Sequence, residues 1–199
     1  MPNIIKDKHI VLGITGSIAC YKAVDLASKL SQAGAKVDAI LTKGAQQFVS
    51  SLTLSSITHR PVTTSLFNPN SPISVNHVVL AEQADLIIVA PATAHTIAKM
   101  ALGLADDPLT TTILATRAPI IIAPAMDGHM YDNIATKQNL KTLVERGITI
   151  VGPETGYLAS GLSGKGRLSP TEKLMSSITN SLTINNDLNE MTLIVTAGG

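Results

Sequence analysis

Three short stretches of this chain carry the residue types from which a nucleotide site is built. Gly13-Ile14-Thr15-Gly16-Ser17 places a glycine, Gly16, where backbone can approach a ligand closely. Ser17 follows at the N-cap of a helix, where unpaired N–H groups and the helix dipole suit a phosphate. Pro91-Ala92-Thr93-Ala94-His95-Thr96 repeats the logic, with Pro91 closing a strand and Thr93 opening a helix. A plain tight turn explains either stretch alone; two such helix starts at one crevice point to a mononucleotide phosphate. The third stretch, Pro124 to Tyr131, crowds Met126, Asp127, His129 and Met130 into a connector. Its methionines either pack on a flat ring or staple a helix to the sheet. Thr42 either bonds a ribityl chain or phosphate, or satisfies its own turn. His77, of a type whose pKa lies near about 6.5, is either a proton acceptor or an ordinary packing or surface residue. Asp127, His129 and Asp132 lack metal-ligand spacing, so no metal is expected. Cys20 reads as a small buried residue rather than a nucleophile.

These residues need elements to hold them. Apolar runs predict strands at His9–Thr15, Val37–Thr42, Leu86–Pro91, Ile120–Ala125 and Ile148–Gly152. Between them, helical spacing predicts helices at Ile18–Ala33, Asn76–Gln83, Thr93–Leu102, Pro108–Ala115 and Ala135–Arg146. Strand–helix alternation implies right-handed crossovers and a doubly wound parallel sheet, a flavodoxin- or Rossmann-like α/β/α sandwich. Ligands of such sheets sit outside the carboxyl ends of the strands, where all three stretches fall. A nicotinamide dinucleotide fits poorly: Ala19 and Cys20 stand where the third fingerprint glycine belongs, and Leu41-Thr42-Lys43 offers no acidic ribose reader.

Composition agrees. Aromatic residues make up only 3% of the chain against 45% hydrophobic residues, so the core is built from Ala, Ile, Leu and Val, as parallel sheets prefer. A net charge of +1 supplies no pull toward nucleic acid or anionic membrane. A single cysteine excludes an intramolecular disulfide, and the N-terminus shows no signal-peptide core, so a cytoplasmic protein is expected. Gly156, Gly161, Gly164 and Gly166 within Glu154–Pro170 predict a mobile flap. Ile184–Glu190 reads as a linker, and Thr192–Thr196 as a new strand running into Gly198-Gly199. The expected division is a domain over 1–183 and, over 184–199, a linker with the first strand of a second domain.

Taken together, Gly13–Ala19, Leu41–Phe48, Asn76-His77, Ala90–Lys99, Ala105-Asp106-Asp107, Ala123–Asn133 and Gly156–Arg167 resemble the homo-oligomeric flavin-containing cysteine decarboxylases. Within that family the resemblance is to the branch serving coenzyme A synthesis, which converts 4′-phosphopantothenoyl-L-cysteine to 4′-phosphopantetheine. Leu193 to Gly199 is similar to the opening of the phosphopantothenate–cysteine ligase domain that is often fused behind it. The resemblance implies FMN held by Gly16, Ser17, Ile18 and Thr42, a second wall from Thr93, Ala94, His95 and Thr96, and Ala125 against the isoalloxazine. It implies His77 as a catalytic residue, Asp127 and Met130 at the substrate, and a trimer-based assembly, often a dodecamer, with flavin at subunit contacts. Oxidation of the cysteine side chain supplies the electron sink that lets CO₂ leave, which is why such a reaction needs a redox cofactor without net redox change.

Three positions depart from the family pattern. Asp127 stands for an asparagine that helps bind the substrate carboxylate. Ser160, in Leu158-Ala159-Ser160-Gly161, stands for the cysteine that protonates the enethiol, and His95 stands for a common asparagine. An ionised Asp127 would repel the carboxylate unless it is protonated or a cation such as Arg167 compensates, and a protonated Asp127, or a water held between it and Ser160, would supply the proton that serine gives poorly. Two further readings stand beside the decarboxylase: a non-catalytic FMN-binding regulatory subunit, favoured by Asp127 and Ser160, and a peptidyl-cysteine decarboxylase.

Overall fold

Every run expected to be a strand of the main sheet is one. In this computed structural model, which describes residues 4–67 and 76–183, the elements in chain order are β1 (His9–Ile14), α1 (Cys20–Gln32), β2 (Lys36–Leu41), α2 (Ser51–Thr58) and α3 (Asn76–Gln83). There follow β3 (Leu86–Ala92), α4 (Ala94–Leu102), α5 (Pro108–Ala115), β4 (Ile120–Pro124), α6 (Gly128–Asp132) and α7 (Ile134–Glu145). The last are β5 (Thr149–Ile150), β6 (Glu154–Tyr157), β7 (Ser163–Arg167) and α8 (Thr171–Thr183). The expected linker and strand beyond residue 183 lie outside the described residues.

β1 to β5 form one parallel sheet in the order β2-β1-β3-β4-β5. The chain leaves β1 in one direction for β2 and returns to its other side at β3, so the crevice between β1 and β3 is the topological switch point. Side-chain alternation divides the core in two. Ile10, Leu12, Ile88 and Ile121 face α1, α2 and α8, whereas Val11, Ile87, Val89 and Ile122 face α3, α4, α5 and α7. Both faces are covered, which is why the strands read as unbroken apolar runs. Among the described residues no helix is long and apolar enough to cross a membrane.

The segment expected to be a flap contains an antiparallel hairpin of β6 and β7. It docks on the loop after β4, where the Met126 N–H donates to the Gly166 carbonyl at 3.0 Å. Gly166 has φ +155°, and a Cβ there would run into the Met126 carbonyl, so only glycine permits this seat. α2 and α8 were not foreseen. Ser50 caps α2 by accepting from the Thr53 N–H, and Leu174 and Ile178 bury one face of α8.

The crevice at the carboxyl ends of β1, β3 and β4

The three stretches converge. A cavity of about 670 Å³ is lined by Gly16, Ser17, Ile18 and Thr42, by Thr93 through Thr96, and by Ala125, Asp127 and Met130. That volume lies within the range of cofactor sites. All nine expected cofactor-wall residues therefore meet in one place, as do two of the expected catalytic and substrate residues.

Thr15 holds the two walls together, and sequence reasoning had given it no role. Its buried hydroxyl donates to the Pro91 carbonyl at 2.7 Å and accepts from the Thr93 N–H at 2.9 Å. Thr93 in turn caps α4, its hydroxyl accepting from the Thr96 N–H. The N–H groups of Ala94 and His95, in the first turn, have no intrahelical acceptor and are available to an anion. Gly16 is needed for a reason closer than a ligand: its Cβ would meet the Gly44 backbone at 2.9 Å, so the loops after β1 and β2 touch through two glycines.

Ser17 is placed differently from expectation. α1 begins at Cys20 with Ala19 as N-cap, and Ser17 lies in a preceding turn, its N–H donating to the Thr15 carbonyl. Its hydroxyl accepts from the Ala19 N–H at 3.2 Å, leaving its own hydrogen for a ligand. Thr42 lines the cavity while also serving its turn: its hydroxyl accepts from the Ala45 N–H and donates to the Ile14 carbonyl. Lys99 is pinned by Asp106 and Asp107, at 2.7 and 3.1 Å, which outweigh its burial and hold its pKa up. Lys43, another residue without a forecast role, lines the cavity and makes no ion pair among the described residues. Cys20 is fully buried, and burial raises its thiol pKa away from nucleophilic use.

A second cavity of about 350 Å³ adjoins the first, sharing Ser17, Ile18, Ala125, Met126 and Asp127, and is roofed by the hairpin from Tyr157 to Ser160. Here Asp127 and Ser160 do meet: the Ser160 hydroxyl donates to the Asp127 carboxylate at 2.7 Å, and the His129 N–H donates to the same side chain at 3.0 Å. These two donors hold the Asp127 pKa below its ordinary value. Both neighbours donate to the carboxyl of this partly exposed group, which favours its charged form over the protonated one weighed from the sequence. Arg167 lines this cavity too, but no ion pair joins it to Asp127 among the described residues.

The sign of the pH effect follows. The Ser160 bond favours the charged form, so it is present above the usual carboxylate range and lost as pH falls through the lowered pKa. Ser160→Ala is expected to raise the Asp127 midpoint toward about 3.9, read from its carboxyl carbon in an NMR titration. An unmoved midpoint shows that Ser160 does not hold Asp127.

His77 does not come to the crevice. It lies half-buried at the start of α3 and is absent from the lining of both cavities. Its neighbour Asn76 donates to the Thr63 hydroxyl at 2.9 Å, and Thr63 bridges to Ile40, which fixes this end of α3 beside the edge strand β2.

The flavoprotein family model matches residues 2–183. Over 194 residues the chain is 44% identical to the coenzyme A biosynthesis bifunctional protein CoaBC of Haemophilus influenzae, covering 98% of this chain and 48% of that protein. The chain thus spans about half the length of the curated relatives it matches. A solved cysteine-to-serine mutant of PPC decarboxylase, complexed with pantothenoylaminoethenethiol, superposes with TM-score 0.76 at 32% identity over 87% of this chain and 97% of that one. The FMN binding protein AtHal3 does so with TM-score 0.73 at 31% identity, over 87% and 95%.

Proposed function

This chain belongs to the flavoprotein family, and from that premise we propose that its crevice holds FMN and decarboxylates 4′-phosphopantothenoyl-L-cysteine to 4′-phosphopantetheine. The observation that carries the reading is the convergence of two anion-ready loop ends on one cavity whose far wall is Ala125 to Met130. The residues fit a flavin mononucleotide. Ser17, the first-turn N–H groups of α4 and Lys43 would take the phosphate, and Ala125 with Met126 and Met130 would face the ring. No acidic residue follows β2 to select a dinucleotide ribose. The chemistry that FMN supplies when bound is reversible acceptance of two electrons.

The chain's own residues bind and orient the substrate around that chemistry. In the net reaction a C–C bond is replaced by a C–H bond, CO₂ leaves, and no electrons are gained or lost. The substrate thiol, with a pKa near about 8.5, must first lose its proton, and His77 is the assigned acceptor. Because His77 stands outside the cavity of its own chain, the reading requires a homo-oligomer in which one copy's α3 reaches another copy's crevice. Ser160 orients the Asp127 carboxylate rather than offering its hydrogen to substrate. That bond also favours the second reading, an FMN-binding regulatory subunit without turnover. A ligase domain fused behind residue 183, in a cytoplasmic protein, completes the proposal; it is supported by the bifunctional relatives, of which this chain covers the smaller part.

Natively purified protein is expected to be yellow, to release FMN rather than FAD on denaturation, and to lose visible flavin absorbance transiently when mixed anaerobically with substrate. A colourless protein that added FMN does not colour contradicts the cofactor. A flavin that substrate never bleaches contradicts the enzyme and leaves the regulator.

A further inference from the structure

Among the described residues, Lys22 and Arg167, the last residue of β7, are left without counter-ions. Lys22 and Arg167 line the second cavity and also a shallower one beyond it, but not the large crevice. The carboxylates nearby are already committed. Asp25 is bound by Lys29 at 3.1 Å and by the Thr171 hydroxyl at 2.6 Å, and Glu172 by Lys29 at 2.7 Å. Glu154 is bound by Lys173 at 2.7 Å and by the Ser169 hydroxyl at 2.8 Å. Lys22 donates one hydrogen bond, to the Leu168 carbonyl at 3.2 Å, and keeps two hydrogens. The Arg167 guanidinium lies along Gly156, whose missing side chain leaves it room; a Cβ there would stand 3.3 Å from its Nη1. Among the described residues it has no hydrogen-bond or ion-pair partner. Burial and the nearby Arg167 charge both depress the Lys22 pKa, as expected for two like charges awaiting an anion.

We infer that Lys22 and Arg167 receive the 4′-phosphate of the substrate, at the end of the cavity remote from the flavin crevice. The inference rests on the decarboxylase reading for the identity of the ligand. Two anions are available on that substrate, its carboxylate and its phosphate, at opposite ends of a long arm. A pair of cations gripping the carboxylate would hold the ground state more tightly than the transition state, because that charge departs with CO₂. The phosphate keeps its charge of about −1.5 to −2 throughout, so cations there bind ground and transition states alike. Position agrees. Ser17, Ala125 and Asp127 are shared with the flavin crevice, whereas Lys22 and Arg167 lie on the side away from it. Met126, shared with the flavin crevice, and Leu158 add apolar lining to the cavity for the arm.

The test compares kcat/KM for 4′-phosphopantothenoyl-L-cysteine and for pantothenoyl-L-cysteine on the FMN-loaded full chain. The parent is expected to prefer the phosphorylated substrate. Arg167→Gln is expected to reduce that preference by about 10- to 100-fold, the weight of a charged hydrogen bond. Lys22→Gln is expected to act in the same direction, and Arg167→Lys to retain part of the preference. A preference unchanged in both glutamine variants, including one in which both substrates lose equally, overturns the inference. Calorimetric binding of 4′-phosphopantetheine against pantetheine separates the two hypotheses, since it needs no turnover. A protein that turns nothing over but loses its phosphate preference with Arg167→Gln refutes the decarboxylase and keeps the phosphate site. Turnover with no Arg167-dependent preference does the reverse.

Discussion

His77→Asn is expected to retain its flavin and lower turnover by roughly 10²- to 10⁴-fold, the usual weight of a general base. Flavin is retained because none of the residues with which the same chain lines its crevice is changed. Turnover falls because at neutral pH most of a thiol of ordinary pKa is protonated, and oxidation needs the thiolate. The position of His77 adds a sharper form of the same expectation. Mixed oligomers of His77→Asn with a flavin-deficient variant such as Gly16→Val regain activity if each crevice borrows its histidine from another copy. Normal turnover by His77→Asn alone would leave His77 a packing residue of α3.

Arg60→Leu is expected to lower the melting temperature by roughly 6 to 12 °C. Arg60 grips Asp38 with both ends of its fork, at 2.7 and 3.1 Å. The Asp38 side chain is only 10% exposed on β2, against 33% for Arg60. Removing the arginine strands a buried carboxylate, which costs about 3 to 5 kcal/mol; the partial exposure of Arg60 favours the lower end. At about 2 to 4 °C per kcal/mol for a chain of this size, the shift follows. Asp38→Asn added to Arg60→Leu recovers most of the loss, because no charge is then stranded. Arg60 also leads into Thr63, the hydroxyl that anchors Asn76, so the single variant loosens the α3 end that carries His77. A melting temperature within a degree or two of the parent would show that Asp38 finds water or another partner.

The sheet was legible because its physics is local. Leu86 to Val89 and Ile121 to Ala123 are buried on both faces and had to be continuous apolar runs. The start of α4 was legible for the same reason, since Thr93 and the Thr96 N–H it binds lie within one turn. What failed was set by distant partners. Ser17 sits short of the helix because the preceding turn is closed by the Thr15 carbonyl, while Thr15 itself is committed to Pro91 on β3 and to Thr93 at the start of α4. The hairpin escaped because Glu154–Tyr157 and Ser163–Arg167 carry almost no apolar alternation; their place is set by bonds to distant residues, such as those from Met126 to Gly166 and from Ser160 to Asp127. The link between Asp127 and Ser160 came from their shared departure from the family pattern, not from their spacing. Sequence names the carboxyl; only the geometry shows both neighbours donating to it.

FMN-loaded protein is incubated with 4′-phosphopantothenoyl-L-cysteine, and the product is identified by mass. Catalytic conversion to 4′-phosphopantetheine, lighter than the substrate by one CO₂, is expected, with the flavin oxidised again at the end. Substrate recovered unchanged, from a protein shown to carry FMN, contradicts it.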